Sequence, residues 1–222
     1  MLAICILMLR PQLAPRKSGP VIEWPAFKEP VYVLYASGSF FVFWALYFGY
    51  FYMNVFATDR VGFDSISSAQ LLIISAIAGI PTRPLSGIIA DRWLGPLNTY
   101  ILSGIVLGAV GISWVGVTTK AGMYVFVVMY GLANGATQGI FGGALASLTR
   151  DPQKMGTRYG MVCTMLGFAT LAGPPTAGAI IDKCDGQYTW AQIWAGAVTV
   201  LGSLTVAAAR WWLTGKKVWT KI

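Results

Sequence analysis

The sequence has no histidine, and only eight of its 222 residues are acidic. Histidine is the side chain best suited to proton transfer near neutral pH and the commonest metal ligand. Its absence removes the readiest routes to acid–base catalysis and metal binding. The three cysteines, Cys5, Cys163 and Cys184, lie far apart with no CxxC spacing. That excludes zinc, redox-motif and disulfide-framework readings, and Cys184 is the one expected to face water. No cofactor or metal is called for. Charged residues make up 11% of the chain, against roughly 25% in an ordinary soluble domain. So few charges cannot cover an apolar core, and a soluble fold of this size is excluded.

What the chain does have is apolar sequence. Hydrophobic residues make up 56% and the mean hydropathy is +0.63. A membrane-crossing helix needs about 20 apolar residues, so the length allows six or seven spans and no sizeable soluble domain. Residues 1–9 are apolar and too short to cross; they read as the end of a helix whose beginning is missing. Residues 10–30 hold Pro11, Pro15, Pro20, Pro25 and Pro30 among Arg10, Arg16, Lys17 and Lys28. Prolines at that spacing forbid a helix, so this is a basic linker. Six apolar segments follow at 31–57, 66–90, 97–117, 123–148, 159–181 and 190–213, with 214–222 as a tail. They are too long and too unbroken for strands. Ser65 is the expected N-cap of the second. The short loops predict that successive helices are antiparallel neighbours. The expectation is an all-α, six-span membrane bundle.

The net charge of +8 serves orientation, not nucleic-acid binding. Twelve of the 16 basic residues fall on the side holding the linker, the Arg92 turn, the Arg150–Lys154–Arg158 turn and the tail. Arg60, Lys120 and Lys183 fall on the other, and Arg83 is set apart within a span. Basic loops stay cytoplasmic, so linker and C-terminus are expected in the cytoplasm. All eight acids lie in loops or at helix ends. No titratable carboxylate is available mid-membrane for a proton relay or for catalysis, and an enzyme is not expected.

Prolines interrupt two spans. The second carries Gly79-Ile80-Pro81-Thr82-Arg83-Pro84, and the fifth Gly173-Pro174-Pro175. Pro84, Gly87, Asp91 and Arg92 recur as Pro175, Gly178, Asp182 and Lys183 at a constant offset of 91. These are the middle spans of two triplets running in opposite directions, as in transporters built from inverted three-helix repeats. Chance recurrence of Gly and Pro in membrane helices is the plain alternative.

These residues carry a family resemblance. Gly87-Ile-Ile-Ala-Asp91-Arg92-Trp-Leu-Gly95 resembles the cytoplasmic signature loop of the major facilitator superfamily, with its glycine one place late and Pro96-Leu97-Asn98 in place of trailing basic residues. Arg83-Pro84, Gly173-Pro174-Pro175 and Phe27-Lys28-Glu29-Pro30 are similar to the monocarboxylate-transporter-like branch, especially its fungal members. The resemblance implies the C-terminal half of a twelve-helix fold: two inverted three-helix repeats whose N-terminal six-helix half, or a second copy, must supply the other wall. It implies alternating access for a small organic anion, in the plasma membrane. Gly79 stands where many animal members carry an acid partner for the arginine. Two other outcomes are open: a facilitator exporting hydrophobic secondary metabolites, and a truncated fragment that transports nothing.

The residues themselves, together with the resemblance, single out candidates. Arg83 lies eight residues before Asp91, about 12 Å into the membrane. It needs an anion, freed backbone carbonyls, an acid from another segment, or a path to the headgroups. Asn134 and Gln138, one turn apart, can bond a substrate or a neighbouring helix. Trp44, Tyr47 and Phe51 share a helix face that suits either a cavity wall or packing. Gly131, Gly135, Gly139 and Gly143 form a ridge of close approach. Gly87, Asp91, Arg92, Pro174, Pro175 and Gly178 are gating candidates. Asp91 reads as a latch onto a helix N-terminus or basic side chain, or as a solvated turn.

Overall fold

The computed structural model describes residues 22–149 and 151–214. The expectations for residues 1–9, for Cys5, and for Arg10, Arg16, Lys17, Arg150, Lys216, Lys217 and Lys221 lie outside them. A 3-10 turn, Trp24–Lys28, leads into six long helices: α1 Pro30–Val61, α2 Ser65–Ile89, α3 Pro96–Ser113, α4 Lys120–Leu148, α5 Pro152–Lys183 and α6 Thr189–Thr214. A π-helical turn, Ala90–Leu94, extends α2, and a 3-10 turn, Trp114–Gly116, extends α3. There is no strand among the described residues. Five helices are long and apolar enough to cross a membrane; α4 is not among them. Asn134, Gln138 and its many glycines dilute the hydropathy of that helix.

The helix ends follow local chemistry. Pro30, Pro96 and Pro152 open α1, α3 and α5, where a missing N–H costs nothing. Asp64 caps α2, its carboxylate accepting from the Ser67 N–H at 3.3 Å. The expected cap, Ser65, is instead the first helical residue, because Asp64 has the extended backbone a cap requires. Gly95 closes the π turn at φ 85°, ψ 152°, a conformation essentially reserved for glycine. Its position in the signature loop is therefore set by the backbone.

Three expectations are corrected. The prolines do not break their helices. α2 runs through Pro81 and Pro84, and α5 through Pro174 and Pro175; each proline withdraws one backbone donor, and the flanking turns hold the helix. Second, α5 starts at Pro152, capped by Asp151 through the Gln153 N–H at 3.0 Å. Lys154 and Arg158 are thus helical, not loop residues. Third, successive helices are not generally the main neighbours. The extensive contacts are α2 with α4, α1 with α6, α3 with α6, α3 with α4, and α1 with α5.

Small residues select these partners. A Cβ on Gly38 would lie 2.7 Å from the Gly202 oxygen, and one on Gly202 2.5 Å from the Gly38 oxygen, joining α1 to α6. Gly108 and Gly196 join α3 to α6 in the same way, at 2.8 and 2.7 Å. A Cβ on Gly131, Gly135 or Gly139 would lie 2.3, 2.4 or 2.8 Å from the backbone of Ser75, Gly79 or Arg83 respectively. A four-residue ridge meets a four-residue ridge, so α2 and α4 approach backbone to backbone. Gly143 stands apart, with only Ile140 of its own helix nearby.

Candidate functional site

The α2–α4 contact fixes where the arginine goes. Because the Arg83 backbone is seated on Gly139, its side chain runs along α4. Its Nη2 donates to the Gln138 Oε1 at 3.2 Å. The Gln138 Nε2 donates to the Asn134 Oδ1 at 3.1 Å. The Asn134 Nδ2 donates to the Tyr50 hydroxyl at 2.7 Å. Three expected residues thus form one string, anchored on a fourth, Tyr50, that the sequence did not single out. Asn134 is buried, Gln138 half-buried and Arg83 exposed. No carboxylate among the described residues lies within ion-pair reach of Arg83.

The direction of the string follows from donor counts. A guanidinium has donors only. Gln138 must therefore turn its oxygen toward Arg83 and its NH2 toward Asn134. Asn134 must then offer its oxygen to Gln138 and its NH2 to Tyr50. The Tyr50 hydroxyl is obliged to accept, which leaves its own proton to donate elsewhere. The two ends of the string, guanidinium and phenol, both present donors, and such a pair suits a ligand rich in oxygen acceptors.

Beside it lies an open groove of about 350 Å³ between α1, α4 and α5. Tyr47, Gln138, Phe43, Phe141, Tyr159 and Cys163 contribute to its walls. Tyr47 therefore faces the same space as Gln138. Phe51 is 62% exposed, one turn further along α1. Trp44 does not join them. Its ring meets Trp194 of α6 edge-on at 5.4 Å, its carbonyl sits against Gly173, and its buried Nε1 has no acceptor among the described residues. Of these three aromatics Tyr47 is the one that lines the groove, and Trp44 takes the packing alternative against Trp194.

The gating candidates fall at two places. Pro174 and Gly178 meet α1 through one residue: the Tyr52 hydroxyl donates to the Pro174 carbonyl at 3.2 Å, and a Cβ on Gly178 would lie 2.7 Å from that hydroxyl. Pro175 is exposed. Asp91 and Arg92 lie exposed in the π turn, and a Cβ on Gly87 would meet nothing within 4 Å.

A second charged cluster lies at the other end of α1. Arg158 of α5, 6% exposed, donates to both Glu29 oxygens at 2.8 and 2.6 Å and to Glu23 at 3.1 and 3.4 Å. Lys154 adds a 3.0 Å bridge to Glu23. The guanidinium also lies over the Tyr32 ring at 5.6 Å. Hydrogen bonding from Arg158 holds the Glu23 carboxyl below its ordinary value, with burial opposing. This cluster ties the linker to α5. Sequence reading saw two linker acids and a loop cation, and only the fold brings them together.

A bundle of long apolar helices, paired through glycines, in which Arg83 has no carboxylate partner among the described residues, defines a polytopic membrane protein. The comparisons give the family. The sequence model of the Major Facilitator Superfamily matches residues 1–162, and the chain belongs to that superfamily. An MFS-type transporter of Gibberella zeae is 35% identical over 211 residues, 94% of this chain and 48% of the relative. An aspyridones efflux protein of Emericella nidulans is 29% identical over 209 residues, 94% of this chain and 42% of the relative. An agnestins efflux protein of Paecilomyces divaricatus is 30% identical over 206 residues, 93% and 46% respectively. The chain spans about half the length of the curated relatives it matches.

Proposed function

We propose that this chain is the C-terminal half of a major facilitator exporter of monocarboxylate-transporter-like type, and that its cargo is an organic anion with an apolar, aromatic body. The observation that carries the reading is Arg83. It is an exposed guanidinium in a membrane span, without a carboxylate partner among the described residues, and the amide string holds it to Gln138, which lines an aromatic groove. Arg at a helix centre costs roughly 2.5–3.5 kcal/mol by insertion scales, and an anionic ligand offsets that cost by bidentate bonding. The efflux reading is favoured by the two relatives named for export of aspyridones and agnestins. It is compatible with the first, since an acidic metabolite meets both Arg83 and the groove.

Six spans complete the half, with α4 as the least apolar. The inverted repeat is supported by the pairing pattern: α2 with α4 is mirrored by α5 with α1, and α3 with α4 by α6 with α1, around a central α3–α6 contact. Residues 10–30 and the C-terminus lie in the cytoplasm of a plasma-membrane protein, where the basic residues concentrate. Reporter fusions at Ser18 and Ile222 test this, and an outside location for either contradicts it. Gly87, Asp91 and Arg92 act as the latch of alternating access, Asp91 toward the other half, while Pro174, Pro175 and Gly178 bend α5 against Tyr52.

One experiment tests the whole. The chain in proteoliposomes should give no flux of aromatic carboxylates above empty vesicles, and fusion behind the N-terminal half of the Gibberella zeae relative should restore it. Flux from the chain alone would make two copies the transporting unit. No flux from the well-folded fusion would leave the truncated, non-transporting reading in its place.

A further inference from the structure

A second groove opens on the other side of α4. It holds about 270 Å³ between α2, α3 and α4. Leu132, Ala133 and Ala136 form its α4 wall. At 3.6 residues per turn these three lie on roughly the opposite face of the helix from Asn134 and Gln138. The groove is therefore separated by the helix itself from the string that holds Arg83. Its rims, Leu85, Leu102 and Val106, are about half exposed.

Four hydroxyls line this groove, and none is left over for a ligand. Thr82 donates to the Gly79 carbonyl at 3.0 Å, Ser86 to Arg83 at 2.8 Å, Thr99 to Gly95 at 2.9 Å and Ser103 to Tyr100 at 3.0 Å. Every hydroxyl proton is spent on its own helix, so the walls are apolar in effect. The groove also has a definite length and end. It starts at Leu94 in the π turn and reaches Val106 on α3, about 15 Å from the start of α3 at the helical rise. That is half of the roughly 30 Å hydrocarbon core, the depth of one leaflet. Arg92 and the 69% exposed Trp93 stand at its turn end, and tryptophan favours the headgroup level.

We propose that this groove is a lipid site: it holds one acyl chain of an anionic phospholipid, whose headgroup lies at the Arg92 turn. A membrane groove with no free polar partner selects hydrocarbon. One-leaflet depth selects a chain entering from the headgroup side. A cation beside the entrance selects an anionic head over a sterol hydroxyl. The site lies against the signature loop, so its occupancy bears on the α2–α3 turn without touching the transport groove. It requires only that the helices stand in a bilayer, and not that the chain transports.

The test uses the full chain in phosphatidylcholine vesicles doped with a phosphatidylglycerol that carries a photoreactive group in mid-chain. After irradiation, peptide mapping should place adducts several-fold more densely on residues 102–106 and 132–136 than around Phe168 and Leu171, which are at least as exposed. Ala136→Phe and Val106→Phe, which fill the groove from two different helices, should each remove most of that excess. Either serves if the other fails to fold. Arg92→Gln should abolish the preference over a photoreactive phosphatidylcholine while leaving chain adducts in place. Even labelling of all exposed positions, an excess unmoved by both filled variants, displacement of the adducts by sterol, or crosslinks to a second copy at this face would each overturn the proposal.

Discussion

Arg83 and Arg158 are the same side chain in two opposite circumstances. Arg158 has a carboxylate on each side and a tyrosine ring beneath, and it is nearly inaccessible. Arg83 has one amide oxygen and an open face. The first guanidinium is satisfied within the chain, and its role is to tie the linker to α5. The second is held by an amide and has no carboxylate partner among the described residues, and the proposed anion site rests on that difference. The comparison predicts that removing Arg158 damages the fold, and removing Arg83 damages binding alone.

The largest effect should come from Arg158→Ala. It leaves the buried Glu23 carboxylate with Lys154 as its one remaining cation among the described residues, so the loss should stay below the roughly 3–5 kcal/mol typical of breaking a buried ion pair; Lys154 and the solvent at Glu29 soften it. Thermal unfolding in detergent measures this, and an unchanged transition would make the cluster ornamental. Gly135→Val should follow, because its Cβ would lie 2.4 Å from the Gly79 carbonyl and the α2–α4 contact is backbone against backbone. Overpacking of this kind costs about 1–3 kcal/mol, and the separation of helices should also loosen Arg83 from Gln138.

Tyr50→Phe sharpens the comparison from the other side. It removes the acceptor that the buried Asn134 NH2 has among the described residues, at a cost of about 1–3 kcal/mol for an unsatisfied group, and the string loses its fixed direction. In the two-halved fusion the KM for an aromatic carboxylate should rise while that for its uncharged amide stays put. Equal changes in both would mean the tyrosine only packs.

The smallest effect is a pH dependence. Glu23 is held below its ordinary value of 4.5 by Arg158, so its contribution to stability is complete above that value. It is lost as the pH falls below 4.5 through the lower folded value. Glu23→Gln should flatten this acid limb of stability. An acid limb identical in the variant would locate the protonation elsewhere.

Much of this architecture was legible in the sequence, for physical reasons. Apolar runs must form helices in a membrane, and all six helices fall within a few residues of the expected segments, α5 excepted. Its first turn looked like a charged loop because the acids that bury Arg158 stand 129 and 135 positions away. The proline segments looked like breaks because sequence shows the lost donor and not the turns that hold the helix. Helix partners were not legible at all, since a glycine's value depends on the backbone that meets it. Arg83, Asn134 and Gln138 were visible as polar residues in apolar spans, a signal that survives without coordinates. Tyr50 was hidden among the many aromatics of α1, and periodicity alone did not separate a cavity wall from packing for Trp44, Tyr47 and Phe51.

The central claim is that Arg83 holds an anion. Its most direct test is uptake of an aromatic carboxylate and of its uncharged amide by the two-halved fusion, comparing the parent with Arg83→Lys and Arg83→Ala. A hydrogen bond to a charged group is worth about 1.5–3 kcal/mol, on the order of ten- to a hundredfold in affinity. Carboxylate uptake should therefore weaken in Arg83→Lys and vanish at the parent's working concentration in Arg83→Ala, with surface level, thermal stability and amide uptake unchanged. Carboxylate uptake by Arg83→Ala with the parent's affinity would make the guanidinium a structural group and remove the anion from the account.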